Sequence, residues 1–145
     1  MHANKRIQLA LIFLLIFRVP VFAEQKHYID IRKITFIESS NNPRAHNIKE
    51  DARGLCQIRR CVLEEWNAYH SNKTYSMNDL YNPQVNLEIA EWYLEKRIPQ
   101  MLRYFKKGVT ARNIIISYNA GINYVVRQKT LPLTTQQYLI KYERR

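Results

Sequence analysis

Apolar residues recur at helical spacing in several stretches of this chain. Within residues 27–40, Ile31, Ile34 and Glu38 fall at i, i+3 and i+7, so the core-facing stripe of a predicted helix ends on a carboxyl group. Residues 39–53 hold Asn41-Asn42-Pro43 and a run of polar side chains and read as a long loop. Residues 61–70 suit a short helix, followed by a polar turn over 71–78. Asn82 is a good N-cap and Pro83 fits the first helical position, so a long helix is predicted to start there. Its stripe runs through Leu87, Ala90, Leu94, Ile98, Met101 and Phe105, with a kink expected at Pro99. Gly108 ends that element. Thr110 can cap a helix carrying Ile114, Ile115 and Tyr118 on one face, Gly121 stops it, and two short helices follow over 124–129 and 134–142. Strand signals amount to at most a small β ribbon within residues 42–58. The expected fold class is mainly α.

The first residues have a different pattern. Lys5 and Arg6 precede an apolar stretch over residues 9–17, and Val21-Phe22-Ala23 places small residues at the first and third positions before a cut. We therefore expect a signal peptide over residues 1–23 and one domain over 24–145. The apolar run is well short of the roughly 20 residues of a spanning helix, and Arg18 interrupts it, so no stable membrane span is expected after cleavage. The expected location is periplasmic or extracellular. No Cys stands at the cut, which argues against a lipid-modified terminus.

With 145 residues, 46% of them hydrophobic and only three glycines, the composition is that of one ordered domain with a modest core. The formal charge of +11 favours polyanionic partners. Export makes cell-wall polymers and anionic membrane surfaces the available ones, and no nucleic-acid partner is expected. Cys56 and Cys61 are the only cysteines, and on a continuous helix they would be too far apart and misdirected to bridge. Two readings stay open: a disulfide across non-helical backbone, or a pair of free thiols. His2, His27, His46 and His70 show no short metal-ligand spacing with the cysteines, so no metal is expected.

An acid on the apolar side of a helix end, with polar chain immediately after it, is the arrangement that raises a carboxyl pKa while leaving the group reachable. Glu38-Ser39 fits it. Glu38-Ser39-Ser40 with Asn42-Pro43, then Ala52-Arg53-Gly54-Leu55-Cys56-Gln57-Ile58, then Asn82-Pro83 with Asn86, then Tyr118-Asn119-Ala120-Gly121 follow one another along residues 27–126. In that order and spacing they resemble the soluble lytic transglycosylase family, lysozyme-like enzymes of the bacterial envelope. The resemblance implies a lysozyme-like helical domain acting on peptidoglycan glycan strands, with Glu38 as catalytic acid and base and no cofactor. It implies substrate-binding roles for Ser39, Gln57, Tyr118 and Asn119, with the Tyr118 hydroxyl and Asn119 amide positioning the acid and the sugar. Cys56 stands where the family usually has Met, and Asp51 where a small Gly is common. Tyr69, Tyr75, Tyr81, Tyr93 and Tyr104 are aromatic candidates for the groove, and none is assigned to the site.

Hydrolytic glycosidases usually use two carboxyl groups, whereas the family pattern supplies one. One suffices if it protonates the leaving oxygen and then deprotonates the muramyl 6-hydroxyl, which attacks internally and leaves a 1,6-anhydro end. The competing readings are a lysozyme-like hydrolase in which Glu50 or Asp51 activates water, and a wall-binding protein that keeps the fold without the activity. The sequence leaves general wall turnover, service to an envelope-spanning secretion or conjugation machinery, and a phage role undivided.

Overall fold

The computed structural model describes residues 29–144. The expected signal peptide lies outside the described residues. The first helix, α1, spans Ile31–Ser39 and starts where the Asp30 side chain accepts a hydrogen bond from the Arg32 amide. Ser40 and Asn41 then both take left-handed backbone, with φ of 54° and 63°, and turn the chain sharply away. Thr35 clamps that turn, its hydroxyl 2.7 Å from Asn41 Oδ1 and its carbonyl accepting the Asn41 amide. The last helical turn therefore presents Glu38 at a chain reversal.

The ribbon consists of β1 (His46–Asn47), β2 (Ala52–Arg53) and β3 (Ile58–Arg59), antiparallel in that order, with Asn47 opposite Ala52 and Arg53 opposite Ile58. Helix α2 (Arg60–Tyr69) continues directly from β3, and a short 3-10 turn, Asp79–Tyr81, leads to α3 (Pro83–Trp92). Asn82 caps α3 by accepting the Gln84 amide, with Pro83 in the first turn, as the sequence predicts. The Trp66 and Trp92 rings meet edge to face at 5.3 Å and join α2 to α3.

The long helix accommodates Pro99 through a π-helical segment ahead of it, where the sequence predicts a kink. Residues Tyr93–Arg97 form a π-helical segment before α4 (Ile98–Tyr104), and the Ile98 amide reaches back to the Tyr93 carbonyl. Pro99 has no amide hydrogen to continue the regular ladder, and the wider turn just ahead of it accommodates the ring. The stripe holds at Ala90, Leu94 and Ile98, all buried, but not at Phe105, which caps the helix end and is exposed. Leu102 takes the buried place instead.

Helix α5 (Ala111–Ala120) is capped by Thr110 and buries Ile114, Ile115, Ile116 and Ser117. It stops at Gly121, where φ is 93° and a side chain would meet nothing within 4 Å, so the backbone conformation, and not space, calls for glycine. A single turn, α6 (Asn123–Val126), is shorter than predicted, and α7 (Leu133–Glu143) closes the fold by packing on α1 and α5. Tyr142 of α7 accepts the Asp30 amide at 2.9 Å, so α7 fastens the start of α1. The class is mainly α with a small antiparallel ribbon, and the architecture is lysozyme-like. No helix among the described residues is long and apolar enough to cross a membrane.

Candidate active site

A pocket of about 530 Å³ opens between the ribbon, the end of α1, and the junction of α5 with α7. Glu38, Gln57, Tyr118 and Asn119 all line it, together with Glu50, Arg59, Cys61, Tyr93 and Thr135. Four of the five site residues expected from sequence thus share one cavity. Ser39 lies beside it. Its hydroxyl is 3.0 Å from the Thr35 carbonyl and 2.8 Å from that of Leu55, so it ties α1 to the loop between β2 and β3.

Glu38 receives a hydrogen bond from the Tyr138 hydroxyl at 2.9 Å. Burial lifts its carboxyl to about 7, the Tyr138 hydrogen bond and the Arg59 charge pull the other way, and the Glu50 charge adds to the rise. Its place in the last turn of α1 acts in the same direction as burial, because a helix C-terminus disfavours negative charge. A carboxyl poised near neutrality can both give and take a proton.

The Tyr118 hydroxyl does not position the acid directly. It donates a short hydrogen bond to the Cys56 carbonyl and so fixes the loop wall, and burial holds its own pKa well above the usual tyrosine range. Asn119 Oδ1 accepts from the Thr135 hydroxyl at 2.8 Å, which joins α5 to α7 and leaves the amide nitrogen for a ligand. Gln57 sits in left-handed backbone, φ 49°, and donates through Nε2 to the carbonyls of Gly54 and Ala45, at 2.9 and 3.3 Å. Its carbonyl end remains to accept.

The loop wall is built on Asn86, a buried polar side chain of α3. Its Oδ1 accepts the Cys56 amide at 2.8 Å, and its Nδ2 donates to the carbonyls of Arg53 and Leu80, both at 2.9 Å. Gly54 packs directly over it, and a Cβ there would stand 2.3 Å from Asn86 Nδ2 and 2.2 Å from the Leu80 carbonyl oxygen. The glycine and the asparagine of two separate sequence motifs are thus one packing unit.

The two other acids of the loop differ. Asp51 does not line the pocket. Arg60 holds it at 2.7 Å and Arg53 at 3.2 Å, and the Arg60 hydrogen bond keeps its carboxyl below the usual aspartate range. Glu50 lines the pocket but is paired with Arg59 at 2.6 Å. Cys56 and Cys61 are free thiols, the first buried and the second exposed at the pocket wall. Residues 57–59 between them are not helical, as a bridge requires, yet the Cys56 thiol is buried and the Cys61 thiol exposed, so the disulfide reading gives way to the free-thiol one. Of the candidate groove tyrosines, Tyr93 lines the pocket, whereas Tyr69, Tyr75, Tyr81 and Tyr104 lie elsewhere; Tyr124, which was not among them, lines it too. Among the described residues no group of three or more His, Cys, Asp or Glu side chains could hold a metal ion.

Tyr138 was not among the residues singled out by sequence. The available signal was its phase on α7, where Thr135, Tyr138 and Leu139 fall at i, i+3 and i+4 on the buried side.

The membrane-bound lytic murein transglycosylase E of Buchnera aphidicola subsp. Acyrthosiphon pisum (strain APS) is 27% identical to this chain over 99 residues. The alignment covers 67% of this chain and 44% of that protein, so the chain spans less than half of the relative's length. No solved structure matches the chain. The model of the transglycosylase SLT domain matches residues 22–140, which takes in α1 with Glu38, the ribbon, the loop wall and most of α7. The chain belongs to the transglycosylase SLT domain family.

Proposed function

We propose that this chain is an exported lytic transglycosylase that cleaves the MurNAc–GlcNAc bond of peptidoglycan strands and leaves 1,6-anhydro-muramyl ends. The observation that carries the reading is Glu38 itself: a carboxyl with a pKa of about 7, facing a polar pocket and steadied by Tyr138, while Glu50 of the same pocket and its neighbour Asp51 are engaged by arginines. In its protonated form Glu38 donates to the glycosidic oxygen as the bond to the anomeric carbon breaks. The resulting carboxylate then takes the proton of the muramyl 6-hydroxyl as that oxygen bonds the same carbon. The proton returns to Glu38, no water is consumed, and no cofactor is needed. Gln57 and the Asn119 amide are the groups we assign to holding the sugar, with Tyr118 and Ser39 fixing the walls.

The hydrolase alternative keeps a foothold in Glu50, which shares the pocket, and loses it in Asp51, which does not. The family resemblance to envelope enzymes and the signal-peptide pattern read in residues 1–23 support action at the cell wall. A role beside a secretion or conjugation machinery would draw on the same chemistry.

The test is digestion of purified peptidoglycan by wild type and Glu38→Gln, with product masses. We expect anhydro ends from the wild type and a loss of about 10² to 10⁴ in rate for the variant, its fold retained by circular dichroism. Full activity in Glu38→Gln would overturn the choice of acid. Products one water heavier would move the enzyme to the hydrolase reading.

A further inference from the structure

Away from the pocket, α4 ends in an exposed corner of aromatic and basic side chains. Tyr104 is 80% exposed, more than any other large aromatic side chain among the described residues, and Phe105 is 42% exposed, their rings edge to face at 5.0 Å. The Lys107 amide closes the helix on the Leu102 carbonyl at 2.8 Å, with Lys106 left-handed at φ 53°, a position that glycine usually fills. This ending puts Arg103, Tyr104, Phe105 and Lys106 at the surface on one tight turn.

Charge along the chain is uneven. From Lys96 to Tyr142 there is no acidic residue. Arg97 and Arg112, to either side, are paired with Glu65 and Glu143, but Lys106 and Lys107 form no ion pair among the described residues. Lys106 and Lys107 therefore set positive charge without an ion-pair partner beside exposed aromatic surface.

We propose that this corner contacts an anionic membrane surface, with Tyr104 and Phe105 entering the interfacial layer while Lys106 and Lys107 lie against phosphate headgroups. Lysines alone would suit any polyanion. Stacking along a sugar chain wants rings that share one flat face, and these two meet at 84°, whereas at a bilayer interface their apolar bodies leave water and the tyrosine hydroxyl stays wet. None of these residues lines the pocket, so docking through the corner leaves the glycan site open.

Co-sedimentation of the full chain with phosphatidylglycerol–phosphatidylcholine vesicles, against phosphatidylcholine alone, tests this. We expect enrichment on the anionic vesicles that weakens with added salt. Lys106→Gln with Lys107→Gln should lower partitioning by roughly fivefold for each charge removed. Tyr104→Ser should lower it several-fold at unchanged charge. The apolar residues 9–17 are common to all variants, so the differences report the corner alone. If Tyr104→Ser binds like wild type while the lysine variant is weaker, the corner is a general polyanion site and the membrane proposal falls. If neither variant differs from wild type, it falls as well.

Discussion

The Tyr138 hydroxyl donates to Glu38 Oε1 at 2.9 Å across a sequence separation of 100 residues, linking the last helix to the acid at the end of the first. Removing that donor leaves the carboxylate form of Glu38 less stabilised. Tyr138→Phe should therefore raise the Glu38 pKa further and move the alkaline limb of the kcat/KM profile to higher pH. The rate should fall by about 10- to 100-fold, the equivalent of a hydrogen bond to a charged group. A pH–rate profile of the variant on peptidoglycan, unchanged from wild type, would show that the hydroxyl has no part in the chemistry.

The raised pKa of Glu38 also has a consequence for stability. In the unfolded chain the carboxyl titrates near its ordinary value, and in the fold it holds its proton up to about pH 7. The folded state thus binds more protons over that window, and its stability should fall as pH rises from about 4.5 to 7, by up to about 3 kcal/mol. Glu38→Gln should remove this slope and be the more stable protein at pH 8. Urea titrations at pH 5 and pH 8 for both proteins check the sign.

Gly54 and Asn86 should fail together. Gly54→Ala drives a methyl into the Leu80 carbonyl and the Asn86 amide at left-handed backbone, and should cost on the order of 3 kcal/mol or more. Asn86→Ala leaves the Cys56 amide and two carbonyls without their partner and should cost about 2–4 kcal/mol. Chemical denaturation should give less than the sum of the two for the double variant, because each already dismantles the same loop wall.

The two thiols should react at different rates. Cys61 is exposed at the pocket wall, whereas Cys56 is buried and its burial pushes the thiol pKa above the ordinary range. A maleimide should label Cys61 in the native protein, label Cys56 only on unfolding, and block glycan cleavage as its bulk enters the pocket. Peptide mapping by mass spectrometry identifies the labelled residue, and Cys61→Ser should keep its activity after the same treatment.

Much of the fold follows from local rules. Asn82-Pro83 and Thr110 start their helices where capping chemistry places them, Gly121 ends α5 because it takes a positive φ, and the phase of Ile31, Ile34 and Glu38 turns the acid inward. Each depends on neighbours within a few positions, and a linear chain displays such neighbours. The π segment before Pro99 was less legible, since a kink and a widened turn answer the same missing hydrogen bond.

By itself the sequence determined the mainly helical class, the acid at the end of α1, and the gathering of Gln57, Tyr118 and Asn119 around it through a recognisable succession of motifs. Only the tertiary structure decided what those side chains touch. It gave the Tyr118 hydroxyl to the Cys56 carbonyl, Ser39 to the Leu55 carbonyl, and Glu38 to Tyr138, and it left Cys56 and Cys61 unbonded. The physical reason is that a hydrogen bond is settled within a few tenths of an ångström. Spacing along a helix fixes which way a side chain faces, while the partner it meets depends on how α7 and the ribbon dock against α1.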